Sequence, residues 1–236
     1  MIPFMILERK KSQYQIESEY YRIITEYGIE NEFGNINDFN ILMQIYSGAM
    51  REIGTKLENL DEEFQCRRIP NPIHHMESRL KTFESILGKL KKNNLPITLR
   101  SIQHNLYDIA GIRVICNYRN DIYSVADMLS KQPDVNVLRT KDYVAHPKPN
   151  GYRSLHLIYT VPVFLTDGPH VTPVEVQFRT IAMDYWASLE HELRYKNQTS
   201  DHHYEQHSRT LINCASQLDE IERMMQSVHD DLNEQN

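Results

Sequence analysis

Apolar residues recur at helical spacing through Phe39, Leu42, Met43, Tyr46, Met50, Ile53, Leu57, Leu60 and Phe64, and the pattern stops before Pro70. A long amphipathic helix puts them all on one side. The segment 72–92 reads as a second helix, and Thr98 marks the start of a short one. The period then shortens. Strand-like runs fall near 108–117, 135–144, 155–164 and 172–180, with a helix over 120–131 between the first two and another over 181–196 after the last. At the C-terminal end Leu211, Ala215, Leu218, Ile221, Met225, Val228 and Leu232 form a narrow apolar stripe. Such a stripe needs a partner surface, either the long first helix of the same chain or another subunit. The order predicts an α/β (α+β) fold, a mixed β-sheet flanked by helices, with long N- and C-terminal helices. Residues 1–36 are polar and rich in Tyr and Glu, an N-terminal arm that is either loose or a short docking helix. Residues 37–236 read as a single domain with a C-terminal helical extension over about 202–233.

Four segments carry more chemistry than their periodicity requires. Lys148-Pro-Asn-Gly-Tyr-Arg-Ser-Leu-His156 packs a cation, an amide, an aromatic face and an imidazole into a loop stiffened by Pro147 and Pro149, with Gly151 free to turn. Val174-Glu-Val-Gln-Phe-Arg-Thr180 alternates strictly, so a strand places Val174, Val176 and Phe178 on one face and Glu175, Gln177 and Arg179 on the other. Asp108 and Arg113 have opposite parity in an apolar run. Both can serve one cleft only if Ala110-Gly111 forms a bulge or Asp108 lies in the preceding loop. In the 72–92 segment, Arg79, Lys81, Lys89, Lys91 and Lys92 outnumber Glu77 and Glu84, a cluster suited to an oligophosphate as well as to a solvated helix face. His74 and His75, at the start of that segment, read as capping groups or as positioners of Arg79.

Taken in order, Asn71-Pro-Ile-His-His-Met-Glu-Ser-Arg-Leu-Lys-Thr, Asp108-Ile-Ala-Gly-Ile-Arg, the Lys148 loop and Glu175-Val-Gln-Phe-Arg-Thr closely resemble the synthetase domain of the RelA/SpoT family. Within it they are most similar to the stand-alone small alarmone synthetases of the RelP type, over roughly residues 40–230. The resemblance implies a nucleotidyltransferase-like core. It also implies transfer of the β,γ-pyrophosphate of ATP to the ribose 3′-oxygen of GDP or GTP, giving ppGpp or pppGpp and AMP, in stress or growth control. By the same resemblance Arg79 and Arg113 sandwich adenine, and Lys81, Ser85 and Lys89 meet the ATP phosphates. Tyr152 stacks on guanine, with Lys148, Asn150, His156 and Gln177 around the acceptor. Asp108 and Glu175 hold Mg²⁺, and Glu175 takes the proton of the 3′-hydroxyl. These residue types suit the reaction, because phosphoryl-type transfer needs charge neutralisation and in-line positioning more than covalent help.

Only some 70 residues precede the first motif, too few for the His-Asp hydrolase domain of the long family members, so synthesis without hydrolysis is expected. Lys148-Pro-Asn-Gly and an acidic end differ from the RelQ branch, so the allosteric and RNA-linked behaviour of that branch is not expected. The resemblance also implies a homotetramer with contacts from the terminal helices.

Composition narrows the partners. A formal charge of −6 disfavours general nucleic-acid binding and fits a basic cleft on an acidic protein. The same balance disfavours a tRNA 3′-end acceptor, which calls for an extended basic surface, whereas Asp108, Glu175 and Tyr152 speak against a silent nucleotide sensor or RNA-binding regulator, which has no chemical need for two metal-suited acids. Three cysteines without paired spacing point to a reducing cytoplasm, and no apolar run has membrane length. Among eleven histidines, His203 and His207 beside His202 and Asp201 have the spacing of a weak zinc site, but without a Cys pair solvated helix-start residues are the better reading.

Overall fold

The computed structural model describes residues 36–196 and 201–233, with Arg22, Ile24 and Thr25. The N-terminal arm otherwise lies outside the described residues. The elements run α1 (Ile36–Arg67), β1 (Ile73–Leu80), α2 (Phe83–Lys92), α3 (Leu99–Asn105), β2 (Ala110–Cys116), α4 (Arg119–Ser130), β3 (Asn136–Asp142), β4 (Leu155–Leu165), β5 (Gly168–Thr180), α5 (Ile181–Lys196) and α6 (Asp201–Asn233). The strands form one mixed sheet in the order β1-β2-β5-β4-β3. β4 and β5 make a hairpin through Thr166-Asp167, which Gly168 closes at φ +122.

The expected helix over 72–92 is corrected. Its first part is strand β1 and only its second part is helix α2. Met76, Ser78 and Leu80 are half-buried and alternate with exposed Glu77 and Arg79. Pairing with β2 satisfies the backbone in an extended form that the mixed helical and alternating pattern leaves open. The switch is local. Thr82 is extended at φ −68, ψ 155, and its Oγ1 accepts from the Ser85 N–H, capping α2. His74 and His75 therefore sit in a strand and neither caps a helix; their Nδ1 atoms are 2.7 Å apart. Thr98 caps α3 in the same way as Thr82 caps α2, as the sequence predicts.

The chain forms two compact units. One gathers the described residues up to Lys56, Glu77–Ile112 and Ile158–Glu175. Its core holds Ile53, Ile86, Leu87, Leu90, Ile102 and Leu106, all inaccessible to solvent, and Phe39 meets Phe83 edge-on at 4.8 Å. The other comprises Leu57–Met76, Arg113–Leu157 and the described residues from Val176 on. Val114, Ile115, Ile122, Val125, Leu129 and Phe178 form its core, and Cys116 is buried there with its thiol pushed well above the usual range by burial.

In this second unit the first half of the α6 stripe packs on α5. Leu211, Ala215 and Leu218 lie against Trp186 and Ala187, which corrects the expected packing on the long first helix. Burying the indole against α6 also satisfies it, because Trp186 Nε1 donates to the Leu211 carbonyl at 2.9 Å. Ile221, Met225, Val228 and Leu232 remain exposed. The zinc reading rests on side chains of His202 and His203, which lie outside the described residues.

Candidate active site

In the first unit Asp108 lies in the loop before β2, which meets the parity demand without a bulge. Its Oδ2 accepts from Lys81 Nζ at 2.7 Å and from Lys89 Nζ at 2.5 Å. Lys81 comes from the end of β1, tied there by its backbone N–H to the Ile109 carbonyl, and Lys89 projects from α2. Burial opposes ionisation of Asp108, but the hydrogen bonds and charges of the two lysines outweigh it and hold the carboxyl below its ordinary value. Beneath it the Tyr46 phenol is pushed up to about 12, first by burial and then by the Asp108 charge, so it stays neutral. Ser85 Oγ lies 2.8 Å from Thr82 Oγ1 at the start of α2.

Strand register brings further candidates level. A Cβ on Gly111 would stand 3.8 Å from the Arg79 carbonyl and 3.9 Å from that of Glu175, so β1, β2 and β5 cross there side by side. Arg79 and Glu175 thus occupy the same level of the sheet on either side of Gly111.

In the second unit the loop from Lys148 to Ser154 is held by its own backbone. Gly151 N–H donates to the Lys148 carbonyl at 2.8 Å, Lys148 N–H to the Tyr152 carbonyl at 3.1 Å, and Tyr152 N–H to Asn150 Oδ1 at 3.2 Å. Gly151 has φ +92, where a side chain is strained. This fold presents Tyr152 with Lys148 Nζ 4.7 Å above its ring centroid and Arg179 5.2 Å from it. Arg179 Nη2 donates to Tyr152 Oη at 2.7 Å and to Gln177 Oε1 at 2.8 Å. With its oxygen accepting from Arg179, the Tyr152 hydroxyl is free to donate to His156 Nε2, 2.8 Å away. Asp184, in the first turn of α5, accepts from Arg179 at 3.0 Å and pairs with Arg113 at 3.2 Å.

Lys148, Asn150, Tyr152, His156, Gln177 and Arg113 are therefore gathered in one unit, and Arg79, Lys81, Ser85, Lys89, Asp108 and Glu175 in the other. Sequence reasoning missed three members. Arg179 shares parity with Glu175 and Gln177, and that was a usable signal; it is buried, 6% exposed, and engaged through both Nη atoms although its Nε has no hydrogen-bond partner. Asp184 and Tyr143, the latter under Lys148 at 4.6 Å, had no signal of their own, because only the fold brings them to the loop.

A divalent cation fits Asp108. Its Oδ1 is buried and has no hydrogen-bond partner, leaving an anionic oxygen beside two cationic arms. Among the described residues no cluster of three or more His, Cys, Asp or Glu is gathered, and a site of one or two carboxylates completed by substrate oxygens and water is the form that suits a hard divalent cation.

The chain is similar to known proteins in both sequence and fold. Residues 78–200 match the region found in RelA / SpoT proteins. The chain is 43% identical to GTP pyrophosphokinase YwaC of Bacillus subtilis over 68% of its own length and 77% of that protein. It resembles the crystal structure of small alarmone synthetase 2 from Bacillus subtilis with a TM-score of 0.70 at 38% identity, covering 80% of this chain and 97% of that one. Small alarmone synthetase 1 of the same organism, bound to its product pppGpp, superposes with a TM-score of 0.75 at 30% identity, over 82% and 97% of the two chains. With the family match spanning 78–200 and these identities behind it, the chain belongs to the RelA/SpoT family and stands among its small alarmone synthetases.

Proposed function

We propose that residues 37–236 work as one synthetase domain that moves the β,γ-pyrophosphate of ATP to the ribose 3′-oxygen of GDP or GTP, releasing AMP, without hydrolase activity. The observation that carries the reading is the Tyr152 cluster: an aromatic face under a cation, with an amide and an imidazole at its edge, is equipment for a purine nucleotide. Family membership supports it, and a relative crystallised with pppGpp supports the product.

On this reading guanine stacks on Tyr152 and displaces the exposed Lys148 ammonium, which is then available to the acceptor phosphates. Arg179 stays, because it is buried and fixed by Asp184 and Gln177. Arg79 and Arg113 stack on adenine, and Lys81, Ser85 and Lys89 meet the ATP phosphates. The lysines are already oriented by Asp108, so little ordering remains when the phosphates arrive. Asp108 and Glu175 hold Mg²⁺, which when bound neutralises charge on the transferred group. Glu175 accepts the 3′-hydroxyl proton as that oxygen attacks the β-phosphorus in line and the bond to the AMP oxygen breaks.

Incubation with Mg²⁺, γ-³²P-labelled ATP and GDP or GTP tests the reaction. Label in guanosine tetra- or pentaphosphate with matching AMP is the expected result; label in neither product, with both nucleotides bound, rejects it. Tyr152→Ala should raise the acceptor KM about tenfold or more while sparing that of ATP, from loss of one stacking contact. Arg113→Ala should do the reverse. Exchanged effects in steady-state kinetics mean the two pockets are assigned backwards.

The chain works as a cytoplasmic homotetramer on this reading. Among the described residues no helix is long and apolar enough to cross a membrane. Ile181, Tyr185, Leu189 and Leu193 lie exposed along α5, and Ile221, Met225, Val228 and Leu232 along α6, which suits helix-mediated contacts. Val228→Glu with Leu232→Glu should lower the mass measured by light scattering; an unchanged mass removes the α6 stripe from the interface.

A further inference from the structure

We infer that the C-terminal helix α6 sets the position of the guanine-stacking ring, with Asp219 as the positioning residue. The inference rests on the assignment of Tyr152 to the acceptor. The residues on either side of Tyr152 are the ones tied to α6. On one side, a Cβ at Gly151 would lie 2.8 Å from Ala215 Cβ, 3.5 Å from Ile212 Cα and 3.6 Å from Trp186 Cζ2, so the loop backbone presses directly on the helix. Glycine is required there twice over, by that approach and by φ +92.

On the other side, Arg153 Nη2 pairs with Asp219 Oδ2 at 3.3 Å while Nη1 donates to the Val144 carbonyl at 3.1 Å. One guanidinium thus ties the end of the loop to its beginning and both to α6. Asp219 is nearly inaccessible, its side chain 7% exposed, and it also receives Arg119 from the start of α4 and Arg223 from its own helix, the latter at 2.7 Å. Three guanidinium groups converge on one carboxylate. Arg153 Nε has no hydrogen-bond partner, its Nη atoms are engaged by Asp219 and Val144, and Glu222 of α6 adds a further negative charge beside it. Removing the Asp219 charge breaks the direct ion pair that ties Arg153 to α6, leaving only the nearby Glu222 charge, and so loosens the flank of Tyr152, while the lysine clasp on Asp108 belongs to the other compact unit.

Steady-state kinetics of Asp219→Asn, Asp219→Glu and Ala215→Leu test this, with Tyr152→Ala as the reference. Ala215→Leu acts on the same seam by pushing the Gly151 backbone, without touching the ion cluster. For Asp219→Asn and Ala215→Leu the GDP KM should rise about five- to tenfold, with the ATP KM held within about twofold. Asp219→Glu should recover much of the GDP affinity, and Arg223→Gln, which alters only the exposed partner, should leave it unchanged. If Asp219→Asn does not fold, Ala215→Leu carries the test. A normal GDP KM in both variants, beside a raised one in Tyr152→Ala, overturns the role of α6 and leaves the acceptor assignment standing. A normal KM in Tyr152→Ala overturns both. Equal losses for GDP and ATP with a lowered melting temperature make Asp219 a purely structural residue and also reject the inference.

Discussion

Glu175→Gln is expected to lower turnover about 100- to 10,000-fold while leaving the Kd for GDP nearly unchanged. The side chain keeps its size and its place on β5, level with Arg79 across Gly111, so the fold and the strand register are undisturbed. What disappears is the proposed proton acceptor and one proposed anionic metal ligand. A 3′-hydroxyl is a poor nucleophile while it keeps its proton, so the loss falls on the chemical step and not on the proposed guanine contacts around Tyr152 and Gln177. Single-turnover rates with saturating nucleotides, set beside calorimetric GDP binding, separate the two. Near-normal turnover would falsify the assignment of Glu175 as the base and return attention to Asp108.

Asp108→Asn should reduce turnover on the order of 100-fold and raise the Mg²⁺ concentration needed for half-maximal rate. Two consequences are combined in one residue. The Oδ1 that has no protein partner is lost as an anionic ligand, and the charge that holds Lys81 and Lys89 together is lost with it. A stability signature accompanies the kinetic one. The Asp108 carboxyl is held below its unfolded value, so its contribution is present above the ordinary carboxylate pKa and fades as pH falls through the depressed folded value. The wild-type melting temperature should therefore fall more steeply toward acid than that of Asp108→Asn. An unaltered Mg²⁺ requirement in the variant would reduce Asp108 to a clasp for the lysines.

Much of the site was legible because its members lie close together in sequence or share strand parity. Lys148, Asn150, Tyr152 and His156 fall within one short stretch, the loop before β4 and the start of that strand, and the alternation of Val174, Val176 and Phe178 placed Glu175 and Gln177 on the opposite face. For Asp108 parity left two options, a bulge at Ala110-Gly111 or the loop before β2, and the structure takes the loop. By contrast, Arg79 was expected on a helix and stands on β1, because basic and apolar residues there fit both periods and pairing with β2 decided between them. The apolar stripe of α6 was recognised correctly but its partner was not, since a stripe states that a surface must be covered and not by what.

Sequence by itself determined the elements with a sustained period, the fold class, the family and the residue types of the chemistry, because these depend on spacing along the chain. Tertiary structure alone decided that Arg179 is buried yet paired, that Asp184 joins it to Arg113, and that Gly151 and Arg153 rest on α6 through Ala215 and Asp219. Each of those joins groups far apart in sequence or in different elements, and a buried charge is tolerated only where the completed fold brings its counter-charge within reach.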